Sequence, residues 1–90
     1  MKLDKDQRLI DQFTFTYKGK KCDVYFVDTY ESGDLWRDVF VELDGEDVYW
    51  SEGVPDKMVS EVYDLRYAPE YTASEIEQAV SKALDHVKEI

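Results

Sequence analysis

Cys22 and His86 are the only thiol and the only imidazole in this 90-residue chain. Together they could make a nucleophile–base dyad, the imidazole taking the thiol proton. Such a dyad also needs an open cleft and donors for a developing oxyanion, and no glycine-rich loop supplies them. Cys22 instead belongs to an apolar alternation, opposite Tyr17, where a cysteine serves as a small hydrophobe. His86 falls on the flank of a helical apolar stripe. One Cys and one His cannot supply the usual zinc set. The run Asp44-Gly45-Glu46-Asp47 offers carboxylate oxygens, but it lacks the Asp-rich loop and distal Glu that hold calcium, which leaves only a weak surface site. Gly19, Gly33, Gly45 and Gly53 are each accounted for by a turn, so no loop cradles a phosphate. Paired carboxylates for glycoside chemistry would need a groove that so small a sheet does not build. These residues predict no catalytic site, no metal and no cofactor: the chain is expected not to be an enzyme.

The remaining chemistry is charge. Against 21 Asp and Glu stand 11 Lys and Arg, a formal net of −10. Residues 23 to 81 hold 16 acidic and 3 basic residues, a net of −13, whereas residues 1 to 22 carry +3. This balance excludes proteins that grip a phosphate backbone or an anionic membrane. It also argues against reading outward aromatics as a platform for single-stranded nucleic acid, because such sheets surround their aromatics with Lys and Arg. Hydrophobic residues at 43% and aromatics at 14% are too many for a disordered acidic tail. The length accommodates one domain, 1–90. No apolar run reaches membrane-spanning length and the N-terminus has no secretory pattern, so a cytoplasmic protein of phage or bacterial type is expected. A lone cysteine leaves the core without a disulfide.

The elements that position this charge are read from periodicity. Phe13, Phe15 and Tyr17 alternate with polar residues, the signature of a strand. A two-residue turn at Gly19-Lys20 would place Tyr17 opposite Cys22, Phe15 opposite Val24 and Phe13 opposite Phe26. Asp44-Gly45 between alternating runs is a strong hairpin signal. It pairs Leu43 with Glu46, Val41 with Val48 and Val39 with Trp50 on one face, and Phe40 with Tyr49 and Glu42 with Asp47 on the other. Residues 30 to 36 read as the link between the hairpins. Residues 1 to 11 read as a short helix or an extended lead into the first strand.

At the C-terminus, Thr72 and Glu75 have capping-box spacing, and Ile76, Val80, Ala83, Leu84, Val87 and Ile90 mark one helical stripe. The expected class is therefore α+β: a four-stranded antiparallel meander sheet packed on a C-terminal helix, with a short additional helix at about 57–63. Tyr25, Val27, Phe40 and Tyr49 point outward, either covered by residues 54 to 71 or left as an aromatic patch rimmed by carboxylates.

Glu42 opposite Asp47 is the unusual feature, since like charges across a ladder repel. A solvated, aggregation-resistant sheet edge explains it, and so does a surface shaped to meet a basic partner. The second reading makes the chain a non-enzymatic interaction module for a basic protein. Its sharpest form is a nucleic-acid mimic acting on a DNA- or RNA-binding protein, and the composition resembles that of small acidic phage inhibitors of host nucleases. The expected contacts are Asp38, Glu42, Asp44, Glu46, Asp47 and Glu52, with Phe40 and Tyr49 as anchors. The alternative is a structural adaptor that homodimerises through a sheet edge or the outward aromatic face.

Overall fold

Three dipeptides ending in glycine organise the sheet. Lys18-Gly19, Ser32-Gly33 and Asp44-Gly45 have positive φ at both residues, with 48° and 78°, 52° and 81°, and 49° and 84°. Two successive positive φ values make a type I′ turn, whose twist matches that of the antiparallel strands it joins. The computed structural model, which describes residues 1–48, 50, 53–65 and 70–87, accordingly shows strands β1 (Gln7–Tyr17), β2 (Lys20–Glu31), β3 (Asp34–Leu43) and β4 (Glu46–Asp47). They lie in the order β1-β2-β3-β4, a four-stranded antiparallel meander. Two helices follow, α1 (Asp56–Leu65) and α2 (Ala73–Leu84), so the fold is α+β. The chain forms two compact units, Met1–Val48 and Tyr49–Ile90.

In the first unit the register of the first hairpin differs from the sequence expectation. Tyr17 pairs with Lys20, Phe15 with Cys22 and Phe13 with Val24, a shift of two residues. The turn sits one residue earlier, at Lys18-Gly19, because a type I′ turn favours glycine at its second centre. An even shift leaves every side chain on its face, so the apolar set is preserved. One face carries Cys22, Val24, Phe26, Val39 and Val41, all buried. Phe13 meets Phe26 edge to face, with centroids 5.9 Å apart. Residues 30 to 36 are not a linker. β2 and β3 run through them and pair Thr29 with Trp36, Tyr30 with Leu35 and Glu31 with Asp34 around a two-residue turn.

β4 is shorter than expected. Glu42 does oppose Asp47 and Leu43 opposes Glu46, and the Val48 amide still donates to the Val41 carbonyl at 2.9 Å. Trp50 lies in a turn rather than opposite Val39, because the chain leaves the sheet after Val48 to begin the second unit. The expected pairing of Phe40 with Tyr49 falls outside the described residues.

Residues 1 to 11 take the extended alternative, since β1 begins at Gln7. The register slips between Leu9 and Asp11, so Ile10 is the extra residue of a bulge. At the outer edge of β1, Asp11 Oδ1 accepts the Gln12 amide at 2.8 Å. That amide points away from β2, and its local acceptor blunts the edge against a further strand.

In the second unit Pro55 opens α1, its carbonyl accepting the Met58 and Val59 amides. The helix is longer than the expected 57–63 and buries Val62. Thr72 Oγ1 accepts the Glu75 amide at 3.2 Å and starts α2, as its spacing predicts. The two helices pack against each other within the unit, and Ile76, Val80, Ala83 and Leu84 form the buried stripe of α2. The helix ends at Leu84, earlier than the apolar pattern implied. The His86 amide bonds to Ala83 and the Val87 amide to Leu84, tightening the last turn into i→i+3 bonds. Ile90 lies outside the described residues.

Candidate interaction surface

The second face of the sheet carries the charge. Cross-strand pairing puts Thr14, Asp23, Glu42 and Asp47 in one row across β1 to β4. Three adjacent carboxylates would repel strongly if left alone. The two inner ones are compensated. Thr14 Oγ1 donates to Asp23 Oδ1 at 2.6 Å, and Lys21 Nζ lies 3.7 Å from Asp23 Oδ2. The Tyr25 hydroxyl donates to Glu42 Oε1 at 2.9 Å, and the Met1 ammonium lies 3.5 Å from the same oxygen.

That last contact places the N-terminal residues. β1 starts beside Thr29, and Glu42 lies opposite Asp23, six steps further along β2. Ahead of β1 the Gln7 amide donates to the Asp4 carbonyl at 3.0 Å and the Tyr30 amide to the Asp6 carbonyl at 2.8 Å, so a turn at residues 4 to 7 precedes the strand. The residues before that turn bring the Met1 ammonium to Glu42 on this face. Tyr25 and Val27 are buried, so they do not form the exposed aromatic patch that was one of the two expectations for this face. The Tyr25 phenol is pushed up to about 12, first by burial, then by its bond to Glu42 and the neighbouring carboxylates.

The expected contact residues divide accordingly. Glu42 is buried and engaged, withdrawn from any partner. Asp38 is half-buried and accepts the Thr29 hydroxyl at 3.2 Å. Phe40 is half-buried. Asp44 is exposed, yet its carboxylate accepts the Lys21 amide at 2.8 Å and its own amide donates to the Lys21 carbonyl, clamping the β3–β4 turn to the start of β2. Glu46 and Asp47 are exposed and free to meet a partner. Tyr49 and Glu52 lie outside the described residues.

A second surface escaped the sequence reading. At the β2–β3 tip, Trp36 is 57% exposed, Tyr30 49% and Leu35 43%. Glu31 and Asp34, both exposed, oppose each other directly beside the turn. This repeats the like-charge arrangement of Glu42 and Asp47, but here neither carboxylate has an ion-pair partner among the described residues. The missed signal was Ser32-Gly33, which has the same form as the other two turns.

The remaining chemistry is limited. The Cys22 thiol is fully buried, and burial together with Asp23 pushes its pKa up to about 12, so it stays protonated at neutral pH. Among the described residues no group of three His, Cys, Asp or Glu side chains converges as a metal set. Between α1 and α2 lies an open groove of about 410 Å³ lined by Glu61, Asp64, Leu65, Glu75, Gln78, Ala79 and Lys82, in which three carboxylates face one lysine. No described helix is long and apolar enough to cross a membrane. Comparison of the chain with protein-family models, with curated proteins and with solved structures finds no match in any of the three.

Proposed function

We propose that this chain is a non-enzymatic interaction module that binds a basic protein through carboxylates presented on its hairpin tips. In the sharpest form of this reading, those carboxylates stand where the phosphates of a nucleic acid would. The chain then inhibits a DNA- or RNA-binding protein, such as a host nuclease, in the manner of a phage anti-defence protein. The supporting observation is Glu31 opposite Asp34 beside the Ser32-Gly33 turn, with Glu46 and Asp47 exposed beside the Asp44-Gly45 turn. Like charges held across a ladder lower stability. A basic surface docking there would relieve that repulsion and be steered by it, giving fast, salt-sensitive association.

Pull-down from host lysate, with and without competing DNA, tests both levels of the reading. A basic protein released by DNA and by high salt supports mimicry. A captured partner indifferent to salt and to Glu46→Lys/Asp47→Lys would sink the reading. The adaptor reading draws on Leu9, Ile10 and Leu35, large exposed apolar side chains suited to self-association. A strictly monomeric chain at high concentration in sedimentation counts against it.

A further inference from the structure

The exposed apolar side chains of the first unit gather at one end of the sheet. Tyr30 and Leu35 are cross-strand neighbours on one side of the β2–β3 ribbon, and Trp36 projects from the other, opposite Thr29. Leu9 and Ile10 flank them at the bulge of β1. Single exposed apolar residues are ordinary, but three large ones within a single hairpin tip mark a contact site. Trp and Tyr are the residues most enriched among interface anchors. The turn between them is a tight type I′ pair, so the anchors are held without a long loop to order on binding.

We propose that this tip, Tyr30, Leu35 and Trp36 framed by Glu31 and Asp34, is the anchoring site for an arginine-rich segment of the basic partner. The inference rests on the reading above and narrows it to one surface and one residue chemistry. A guanidinium stacks over an indole face and presents its fork to a carboxylate, and Trp36 shares its side of the ribbon with Glu31 and Asp34, while Tyr30 and Leu35 offer apolar contact on the other side. Lysine shares the charge but not the planar stacking. A nucleic acid or an anionic bilayer would meet Glu31 and Asp34 as like charges. A second copy docking tip to tip about a two-fold axis would set the same carboxylates against themselves, because an isologous interface is self-complementary.

The test uses the full chain and fluorescein-labelled nona-arginine and nona-lysine, with anisotropy read at low and moderate salt. Nona-arginine should bind several-fold more tightly than nona-lysine. Trp36→Ala should weaken nona-arginine about tenfold and remove most of the preference. Tyr30→Ser and Glu31→Lys provide independent variants, with circular dichroism and melting confirming that each still folds. Glu46→Lys/Asp47→Lys should weaken both peptides to a similar extent.

Equal affinity for the two peptides, insensitive to Trp36→Ala but lost in Glu46→Lys/Asp47→Lys, overturns the tip assignment and leaves the acidic-surface reading standing. Failure of both peptides to bind at low salt overturns both. A concentration-dependent dimer in sedimentation that Trp36→Ala abolishes assigns the tip to a second copy and also overturns the proposal.

Discussion

The hydroxyl of Tyr25 donates to the carboxylate of Glu42 at 2.9 Å in a buried setting, across the β2–β3 ladder. The sequence places both residues on the outward face, Tyr25 as an aromatic either covered or exposed and Glu42 as a charge expected to meet a partner. Their mutual bond, with the Met1 ammonium on the same oxygen, turns a candidate contact into part of the structure. Tyr25→Phe should remove the donor and leave a buried carboxylate short of one bond, lowering stability by about 1–3 kcal/mol in chemical denaturation. Glu42→Gln keeps an acceptor for the phenol and should cost less. A double-mutant cycle showing no coupling between the two positions would contradict the bond.

Alkaline pH should destabilise the fold through Cys22 and Tyr25. Both have folded-state pKa values raised to about 12, Cys22 from 9.0 and Tyr25 from 10.0. For a raised pKa the protonated form is favoured by folding, so the contribution is fully present below the unfolded value and is lost as pH climbs through the folded one. Stability should therefore fall between about pH 9 and 12, and less steeply in Cys22→Ala/Tyr25→Phe. In the native chain at neutral pH, a thiol reagent should react with Cys22 only at the rate of unfolding. Rapid labelling of the folded chain would show the thiol to be accessible.

The acidic hairpin tips should trade stability against binding. Asp47→Lys sets a cation opposite Glu42 and should raise stability by a few tenths to about 1 kcal/mol. The same change should weaken capture of a basic partner. In the parent chain, moderate salt should raise the melting temperature by screening the carboxylates, and Asp47→Lys should flatten that dependence. Melting curves across a salt series provide the check.

Gly53 and Gly45 separate two causes of glycine dependence. Both have positive φ, 85° and 84°. A Cβ at Gly53 would lie 2.9 Å from the His86 carbonyl oxygen, whereas one at Gly45 would meet nothing within 4 Å. Gly45→Ala should cost about 1 kcal/mol, the conformational penalty alone. Gly53→Ala should cost more, because the last turn of the second unit must also move. Equal melting temperatures for the two variants would mean that the His86 carbonyl yields freely.

Much of the architecture follows from residues that neighbour one another in sequence. The alternation of Phe13, Phe15 and Tyr17 sets which side chains share a face, and Asp44-Gly45 sets the pairing of Glu42 with Asp47. Thr72 and Glu75 start α2 through a bond three residues long. Ser32-Gly33 carried the same kind of information as the other two turns. Reading residues 30 to 36 as a linker hid the tip that now holds Tyr30, Leu35 and Trp36.

What only the tertiary structure decided depends on contacts between distant residues. A strand has a side-chain period of two, so a two-residue shift in register leaves the face pattern intact and cannot be detected from it. The pairing of Phe13 with Val24, with the Phe26 ring as its edge-to-face neighbour, was therefore set by the structure alone. Residues 1 to 6 carry no periodic signal, and only the structure brings the Met1 ammonium to Glu42. By itself, the sequence determined how much negative charge this chain carries and on which strands. The burial of Glu42 and the exposure of Glu31, Asp34 and Trp36 were settled by tertiary packing, because solvent access depends on what the rest of the chain lays over each face.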